Sequence, residues 1–314
     1  MTISLLEPLG IESADLASFA REMESAGHRF TSYDQKAATV QQLIARSAGQ
    51  EIIMIANTPY PKEAIVANPQ IKMIAVAFTG VDHVDLEACR KQGIVVTNCA
   101  GYSDQAVAEH AVALALASLR KIVECDRATR ASLSSASLMG SEIYGKRVGI
   151  IGYGRIGART AALFSAFGAE VVVYSRKPDH NRPETFLSLE QLLSSSDIIS
   201  LHVPSTIETR HMIGSKELAK MKKGALLINC ARGPVVDSAA LAGALKDGSI
   251  SAALDVFDTE PPLDGDDPLL LAANTVLTPH VAYLTQEAMV RRAAIEFENV
   301  RAYLRGEIQN RVDL

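Results

Sequence analysis

The sequence RVGIIGYGRIGARTAALFSAFGAEVVVYSRK, residues 147–177, follows the order strand, turn, helix, strand. The short apolar run 148–151 predicts a strand that is buried on both faces, and a glycine-rich turn follows it directly. Apolar residues then recur at helical spacing up to Gly168, and residues 171–174 predict a second strand. The stretch therefore predicts a βαβ unit of a parallel sheet.

Three glycines of this turn have separate predicted roles. Gly152 permits the tight turn, Gly154 lets the backbone approach a bound diphosphate, and Gly157 lets the helix pack against the strand. Unpaired N–H groups at the start of the helix would face the anion. A strand-to-helix turn attracts glycine in any case, but the complete βαβ context indicates a dinucleotide-binding site.

The end of the second strand indicates which dinucleotide binds. An acidic side chain here usually accepts hydrogen bonds from the adenosine ribose of NAD, whereas this chain has Ser175, Arg176 and Lys177. A hydroxyl, a guanidinium and an ammonium can bind a 2′-phosphate, which an acid would repel. NADP(H) is therefore favoured and NAD(H) remains possible; the alternative is that these residues form only a solvated basic turn.

Length and composition limit the class of protein. The 314 residues favour two domains, and 48% hydrophobic content can fill two cores. The net charge of −5 gives no reason to expect nucleic acid or an anionic membrane as a partner. Neither a secretory signal nor a membrane span is apparent. The four cysteines have no close pair or metal-ligand spacing, so we expect a reduced, cytoplasmic compartment and no metal site.

The rest of the chain continues the alternation of strands and helices. Residues 1–99 predict a small parallel α/β unit, residues 103–121 a long apolar helix, and the region after the glycine turn four further strands. In a parallel sheet, the residues after each strand share one edge and converge on a ligand. A last helix, about 286–305, can pair only with an earlier layer, so a discontinuous first domain is expected.

The histidines fall into different predicted classes. His110, within the long apolar helix, is interpreted as a packed, hydrogen-bonded residue and not as a catalyst. Four others are interpreted as surface or capping residues, namely His28, His83, His180 and His211.

Seven short motifs follow one another along nearly the whole chain. They are Thr79-Gly-Val-Asp-His-Val-Asp85, Ala106-Val-Ala-Glu-His110, Gly152-x-Gly-x-x-Gly157, His202-Val-Pro204, Asn229-Cys-Ala-Arg232-Gly, Leu254-Asp-Val-Phe257 with Glu260-Pro, and Thr278-Pro-His280. This ordered set resembles the D-isomer-specific 2-hydroxyacid dehydrogenases, in particular the glyoxylate and hydroxypyruvate reductases. The order of seven motifs is far more specific than any one of them.

The resemblance implies an α/β protein with two doubly wound parallel-sheet domains. Residues 100–284 would form a Rossmann dinucleotide-binding domain, and residues 1–99 with 285–314 a flavodoxin-like substrate-binding domain. It also implies a homodimer, built largely by the helix at 103–121 and the segment after it.

The resemblance also assigns roles to residues that match the motifs. The catalytic residues would be Arg232, Glu260 and His280. The substrate would contact Phe78, Thr79, Gly80, Arg232 and Tyr283. The cofactor would contact Val107, Gly152, Gly154, Arg155, Ile156, Gly157, Ser175, Arg176, Lys177, His202, Val203, Pro204, Thr209, Cys230, Ala231, Arg232, Asp255 and His280, with Asp255 holding the nicotinamide amide. Thr79 and Gly80 would hold the substrate carboxylate, although a plain strand-to-helix turn explains them equally well.

The three catalytic residue types suit reduction of a 2-oxo acid. A guanidinium, Arg232, can grip the carboxylate and polarise the adjacent ketone. As hydride reaches the ketone carbon, a proton must reach its oxygen, and an imidazole, His280, titrates in the right range to donate it. The neighbouring carboxylate of Glu260 would favour the protonated imidazole and fix its tautomer.

The substrate and the alternatives follow from particular positions. Family members that act on phosphoglycerate carry arginines after the third strand, whereas residues 57–61 here contain no basic residue, so phosphoglycerate is disfavoured. Tyr283 resembles a bulky residue that lines the active site in this family, which would suit small oxo acids such as glyoxylate or hydroxypyruvate. A dinucleotide-sensing corepressor stays an alternative, because the fold alone does not exclude it. Oxidation of phosphite ranks lower, because those relatives have a lysine where this chain has Thr79.

Overall fold

The computed structural model describes residues 1–178 and 183–313. The chain divides into two units, of which unit 1 comprises Met1–Ser103 and Leu284–Leu314 and unit 2 comprises Asp104–Tyr283. Both units contain parallel sheets flanked by helices, so the predicted fold class is confirmed. Within the described ranges, no helix combines the length and apolarity needed to cross a membrane.

Unit 1 begins with five strands that alternate with four helices. In chain order these are β1 (Thr2–Leu5), α1 (Ser13–Ser25), β2 (Arg29–Ser32), α2 (Val40–Ser47), β3 (Ile52–Ile55), α3 (Lys62–Val66), β4 (Met73–Val76), α4 (Leu86–Gln92) and β5 (Val95–Thr97). The strand order is β2-β1-β3-β4-β5, with every pair parallel. All four residues of β3 are fully buried, because helices cover both faces of the sheet.

Unit 2 contains a seven-stranded parallel sheet. Its elements are α5 (Asp104–Leu119), α6 (Ile122–Arg130), β6 (Arg147–Ile151), α7 (Arg155–Ala166), β7 (Glu170–Tyr174), β8 (Thr185–Phe186), α8 (Leu189–Ser195), β9 (Ile198–Leu201), α9 (Ser215–Leu218), β10 (Leu226–Asn229), α10 (Ser238–Lys246), β11 (Ser251–Leu254) and β12 (Thr275–Leu277). The strand order is β12-β11-β10-β9-β6-β7-β8. Successive residues of the central strands enter two separate hydrophobic clusters, one on each face.

The last helix, α11 (Gln286–Leu304), belongs to unit 1. Thr285 begins it as an N-cap whose hydroxyl accepts a hydrogen bond from the Ala288 N–H at 3.1 Å. Phe297 on this helix stacks on Phe19 of α1, with ring centroids 4.1 Å apart. The helix thereby closes one apolar face of the unit 1 sheet.

Candidate active site

The predicted site residues of unit 2 follow the carboxyl ends of its strands. The pairs Asn229 with Leu254 and Leu254 with Leu277 end their strands in register, and Ile151 pairs with Leu201 in the same way. The segments after β6, β9, β10, β11 and β12 therefore leave the sheet at one edge. Strand β6 lies between β9 and β7, so the crossovers run in opposite directions from it, and open α/β sheets bind ligands at such a point.

The turn after β6 has the backbone that a diphosphate requires. Gly152 has a φ of 95°, and a Cβ there would lie 2.5 Å from the carbonyl oxygen of His202. A Cβ on Gly157 would lie 2.0 Å from the Gly152 carbonyl oxygen, whereas one on Gly154 would meet nothing within 4 Å. Two glycines are thus required by the fold, and Gly154 leaves open space beside the start of α7. This space and the N–H groups of the first helical turn suit a diphosphate.

The residues around this turn hold α7 in place. Arg155, the first residue of α7, directs its Nε to Asp104 Oδ2 at 2.6 Å while its side chain stays 73% exposed. Ile156 and Val107 both pack in the unit 2 core, where α5 lies against α7. Cys230 is also buried there, and burial raises the pKa of its thiol well above the ordinary value. A buried, protonated thiol of this kind is a packing group.

The segment after β7 carries the predicted phosphate-binding residues. The hydroxyl of Ser175 accepts from the Lys177 N–H at 3.4 Å and forms a local turn. Arg176 and Lys177 are exposed. The pKa of Glu208 is lowered by a hydrogen bond from Thr206, by a backbone N–H and by the charge of Arg176. The turn is therefore basic, with one carboxylate from the β9 loop near it.

The loop after β9 is organised by its own side chains. The Nε2 atom of His202 lies 2.9 Å from Ser200 Oγ, and burial lowers the pKa of His202 to about 4. His202 is therefore neutral at physiological pH. Thr209 donates to the carbonyl oxygen of Pro204 at 2.6 Å, and its predicted contact with the cofactor stays a prediction. Val203 packs against the core.

The loop after β10 presents Arg232. The side chain of Asn229 accepts from the Ala231 N–H at 3.0 Å and donates to the Arg232 carbonyl oxygen at 2.9 Å. A Cβ on the next residue, Gly233, would lie 1.8 Å from the carbonyl oxygen of Phe257. Only glycine fits at that position, so Gly233 is required by the fold.

His280 and Glu260 form a hydrogen-bonded pair. Nδ1 of His280 lies 2.7 Å from Oε2 of Glu260, and the two side chains are 27% and 74% exposed. An ionised carboxylate only accepts, so Nδ1 carries a hydrogen and Nε2 is the nitrogen that can exchange a proton. The ring of Tyr283 meets the His280 ring edge to face, with centroids 5.5 Å apart.

Asp255 holds the backbone around this histidine. One of its carboxylate oxygens accepts from the Thr278 hydroxyl at 2.5 Å and from the Val281 N–H at 2.9 Å, and the other accepts from the Ala282 N–H at 2.9 Å. Its own carbonyl oxygen accepts from the His280 N–H at 2.8 Å. Burial alone would raise the pKa of Asp255, but its hydrogen bonds outweigh burial and lower it. The contact with a nicotinamide amide stays a prediction for this side chain, which is fully buried.

His110 completes this network from helix α5. Its Nε2 lies 3.0 Å from Thr278 Oγ1, whose single hydrogen goes to Asp255, so His110 is the donor. The prediction that His110 is packed and hydrogen-bonded is confirmed. The interpretation of His83 as a surface or capping residue is wrong: it is partly buried, burial lowers its pKa, and its Nε2 has no hydrogen-bond partner among the described residues. His180 lies outside the described residues.

The predicted carboxylate loop follows β4 in unit 1. Phe78 is partly buried and the guanidinium of Arg292 lies 4.5 Å from its ring centroid. Thr79 is exposed and Gly80 partly exposed. The loop is therefore anchored by an aromatic residue on its inner side and accessible at its tip.

Comparison with known proteins identifies the family. Residues 112–282 match the description "D-isomer specific 2-hydroxyacid dehydrogenase, NAD binding domain". A glyoxylate reductase of Korarchaeum cryptofilum is 40% identical over 82% of this chain and 80% of its own length. The chain belongs to the D-isomer specific 2-hydroxyacid dehydrogenases.

Two further comparisons cover nearly all of this dehydrogenase. A glycerate dehydrogenase of Methylorubrum extorquens is 39% identical over 91% of this chain and 92% of its own length. The solved structure of an acyclic imino acid reductase in complex with NADPH and D-Arg has a TM-score of 0.91 and 31% identity, covering 99% of this chain and 100% of that one. The 2-hydroxyacid dehydrogenase is thus an oxidoreductase with a nicotinamide dinucleotide cofactor, as the sequence predicts.

Several residues of the dehydrogenase site were not predicted. Thr278 and Asn229 each begin one of the seven motifs, but no role was assigned to either. Thr278 holds the loop that carries His280, and Asn229 holds the loop that carries Arg232. Their position directly after buried strands was the available signal, because side chains there often organise the loop that follows. Among the described residues, no group of three or more His, Cys, Asp or Glu side chains could hold a metal ion.

Proposed function

We propose that this dehydrogenase uses NAD(P)H to reduce a small 2-oxo acid to the D-2-hydroxy acid. The 2.7 Å contact between His280 Nδ1 and Glu260 Oε2 carries the proposal, because it gives the site an oriented acid and base. The names of the relatives agree with it, since glyoxylate reductase and glycerate dehydrogenase both act on this chemical class.

The roles of the side chains follow from their geometry. The bound dinucleotide supplies the hydride that reaches the ketone carbon. His280 holds a proton at Nε2 and delivers it to the ketone oxygen, while Glu260 keeps Nδ1 protonated and stabilises the imidazolium. Arg232 binds the substrate carboxylate with its planar fork and draws electron density from the adjacent ketone.

We propose separate roles for the two units. Unit 2 binds the dinucleotide, in keeping with the match of residues 112–282 to an NAD-binding domain. Unit 1 binds substrate through Phe78, Thr79 and Gly80. Tyr283, whose ring lies 5.5 Å from that of His280, limits the size of the substrate side chain, which favours glyoxylate or hydroxypyruvate.

NADP(H) is the cofactor we propose. The exposed Arg176 and Lys177 and the hydroxyl of Ser175 support a 2′-phosphate site, and a relative of 31% identity was solved with NADPH. We expect Arg176→Ala with Lys177→Ala to raise KM for NADPH by about tenfold or more, because two charged contacts to phosphate are lost. KM for NADH should stay within about twofold of wild type. Parallel loss with both cofactors would contradict the phosphate site.

A homodimer is proposed through α5 and the segment after it. That segment exposes several large apolar side chains, which are Ile122, Val123, Leu133, Met139 and Tyr144. Exposed large apolar side chains that form a contiguous patch mark interaction surfaces.

Nicotinamide absorbance tests the proposal directly. Purified protein is mixed with glyoxylate or hydroxypyruvate and with NADPH or NADH in parallel. Rapid loss of reduced dinucleotide supports the reductase, and the preferred dinucleotide reports on Ser175, Arg176 and Lys177. If neither is consumed with any small 2-oxo acid although both bind, the sensing role, which the comparisons do not favour, replaces the reductase. Reduction of NAD(P)⁺ by phosphite would point to the other alternative.

A further inference from the structure

Two successive carbonyl groups of the loop after β4 are held from one side. The Cys99 N–H donates to the Phe78 carbonyl oxygen at 3.0 Å, and Asn98 Nδ2 donates to the Thr79 carbonyl oxygen at 2.8 Å. Residues 98 and 99 directly follow β5, the neighbour of β4 in the sheet. The adjacent strand thus fixes the direction of two consecutive peptide groups.

Fixing those carbonyls also fixes the next N–H groups. A peptide bond is planar and trans, so its N–H points opposite to its C=O. The N–H groups of Thr79 and Gly80 are therefore directed away from Asn98 and Cys99. Within residues 1–178 and 183–313, neither of these two N–H groups has a hydrogen-bond acceptor. Successive backbone N–H groups of this kind can bind an anion.

Asn98 is itself held by two other asparagines. The backbone carbonyl oxygen of Asn98 accepts a hydrogen bond from Asn299 Nδ2 at 2.8 Å. The side-chain oxygen of Asn299, Oδ1, accepts in turn from Asn310 Nδ2 at 2.8 Å. The Asn98 N–H donates to the Asn310 carbonyl oxygen at 3.0 Å. Asn98 is 8% exposed and Asn299 is 1% exposed. The Asn310 side chain thus holds the Asn299 side chain, which holds the Asn98 backbone, and the Asn98 side chain reaches Thr79; we call these three residues the asparagine chain.

The segment after α11 brings Asn310 to this position. It lies antiparallel to β5, where the Val312 N–H donates to the Val96 carbonyl oxygen at 2.9 Å and the Val96 N–H donates to Asp313 Oδ1 at 2.9 Å. The chain thereby returns to β5, the strand that Asn98 follows. The asparagine chain is built from the residue after β5, from α11 and from the segment after α11.

We propose that Asn98, held by Asn299 and Asn310, is the positioning residue of the substrate-carboxylate loop. Its amide keeps the Thr79 carbonyl turned inward, so the Thr79 and Gly80 N–H groups stay aimed at the substrate carboxylate. This inference rests on the proposed function of Thr79 and Gly80, and it adds the hydrogen bonds that orient their N–H groups.

Asn98→Asp is the sharpest test. The change keeps the size of the side chain and the acceptor that faces the Ala100 N–H, and it replaces the donor to Thr79 by a carboxylate oxygen that repels the Thr79 carbonyl oxygen. We expect KM for glyoxylate to rise by about tenfold or more, since the Thr79 carbonyl oxygen loses the donor that orients it, while kcat changes by less than about threefold. The Kd for reduced dinucleotide, read from nicotinamide fluorescence, should not change, because the dinucleotide residues lie in unit 2. A KM within about twofold of wild type would overturn the proposal.

Asn310→Gly provides a milder variant that keeps the core intact. Asn310 is exposed and has a φ of 54°, which glycine adopts without strain. Losing the hydrogen bond to Asn299 loosens Asn98 without removing it, so KM should rise about two- to fourfold. An unchanged KM in both Asn310→Gly and Asn98→Asp would contradict the asparagine chain.

Asn68→Ala is the matched control. Asn68 is a 2% exposed asparagine of unit 1 whose Nδ2 also donates to carbonyl groups, those of Ala64 at 3.0 Å and Ile44 at 3.4 Å. In the part of the chain that the structure describes, Asn68 makes no hydrogen bond to Thr79, so its loss should lower the melting temperature without raising KM. An equal rise in KM for this control would reduce the role of Asn98 to general stability and overturn the proposal.

Oxalate binding separates this inference from the proposed function. Calorimetric titration of oxalate into the enzyme–dinucleotide complex needs no turnover. If wild type binds oxalate but consumes no 2-oxo acid, the reductase proposal fails, and an affinity about tenfold lower in Asn98→Asp still supports the loop device. If turnover is normal and oxalate affinity is equal in wild type and Asn98→Asp, only the loop device fails.

Discussion

The backbone of His280 lies at a φ of 54°, in the left-handed region that residues other than glycine rarely adopt. Hydrogen bonds from its N–H to the carbonyl oxygens of Asp255 and Thr278 hold it there. A residue kept in this conformation by its neighbours has its side chain aimed before any ligand arrives. The proposed general acid is therefore oriented by the fold.

We expect His280→Gln to lower kcat by about 100-fold or more, because the amide cannot donate a proton at neutral pH. Binding of reduced dinucleotide should be nearly unchanged. Steady-state kinetics and nicotinamide fluorescence measure the two quantities. Turnover equal to wild type would rule out His280 as the proton donor.

Asp255→Asn tests the residue that holds the His280 loop. An amide in place of the carboxylate puts an N–H against a backbone N–H, so the free energy of unfolding at pH 7 should fall by about 2 kcal/mol or more. The pKa of Asp255 is lowered in the folded state, so the stability it contributes is complete above its ordinary value of about 3.9 and is lost as pH falls through the folded value.

Urea unfolding of both proteins between pH 7 and pH 3 measures this effect. The difference between wild type and Asp255→Asn should be constant from pH 7 to about pH 5 and shrink below about pH 4. Wild type and variant with parallel curves over the whole range would contradict the stabilising role of the carboxylate.

At the residue scale, the sequence indicated which side chains belong to the site but not which hydrogen bonds they make. Motif order placed Glu260 beside His280, and their hydrogen bond is present. It did not indicate that Asp255 accepts from the Val281 and Ala282 N–H groups, because backbone direction in an irregular loop leaves no pattern in side-chain type. The catalytic and cofactor roles of these residues remain predictions.

At the scale of elements, the junction between β6 and α7 contains one glycine that has no room for a side chain, Gly157, and one that has open space beside it, Gly154. Gly157→Ala would place a Cβ 2.0 Å from the Gly152 carbonyl oxygen, so the backbone must shift and the melting temperature should fall by at least about 5 °C. Gly154→Ala meets no atom within 4 Å, so the melting temperature should stay close to wild type while the Kd for dinucleotide rises about tenfold or more.

Thermal unfolding and nicotinamide fluorescence on the two variants separate these effects. The two glycines act as controls for one another, because they are three residues apart in one turn. Equal loss of stability in both variants would mean that Gly154 is also required by the fold and is not the point of approach of the diphosphate.

Most elements were predictable because buried strands leave apolar runs between helical patterns. Helix α6, Ile122–Arg130, was not predicted, and it buries none of its residues in the unit 2 core. The long helix ends at Leu119 and not at residue 121, since Lys121 adopts a left-handed φ of 50°. Strand β8 has only two residues, Thr185–Phe186, which is too short to produce a period.

At the scale of the whole molecule, the proposed dimer depends on the apolar segment after α5. Replacing the exposed Leu133 and Met139 by Glu puts two charges into that surface, so the double variant should elute as a monomer in size-exclusion chromatography with light scattering. Leu271→Glu, at another exposed apolar position of unit 2, is the control and should leave the oligomeric state unchanged. A dimeric double variant would contradict this interface.

The chain order of unit 1 has a consequence for synthesis on the ribosome. The hydrogen bond between Val96 and Asp313 joins residues 217 positions apart, and all of unit 2 is translated between them. Unit 2 is continuous and can fold as it emerges, whereas the apolar face of unit 1 that receives Phe297 stays open until α11 is made. That apolar face therefore stays uncovered for as long as unit 2 takes to be translated, and unit 1 completes its fold last.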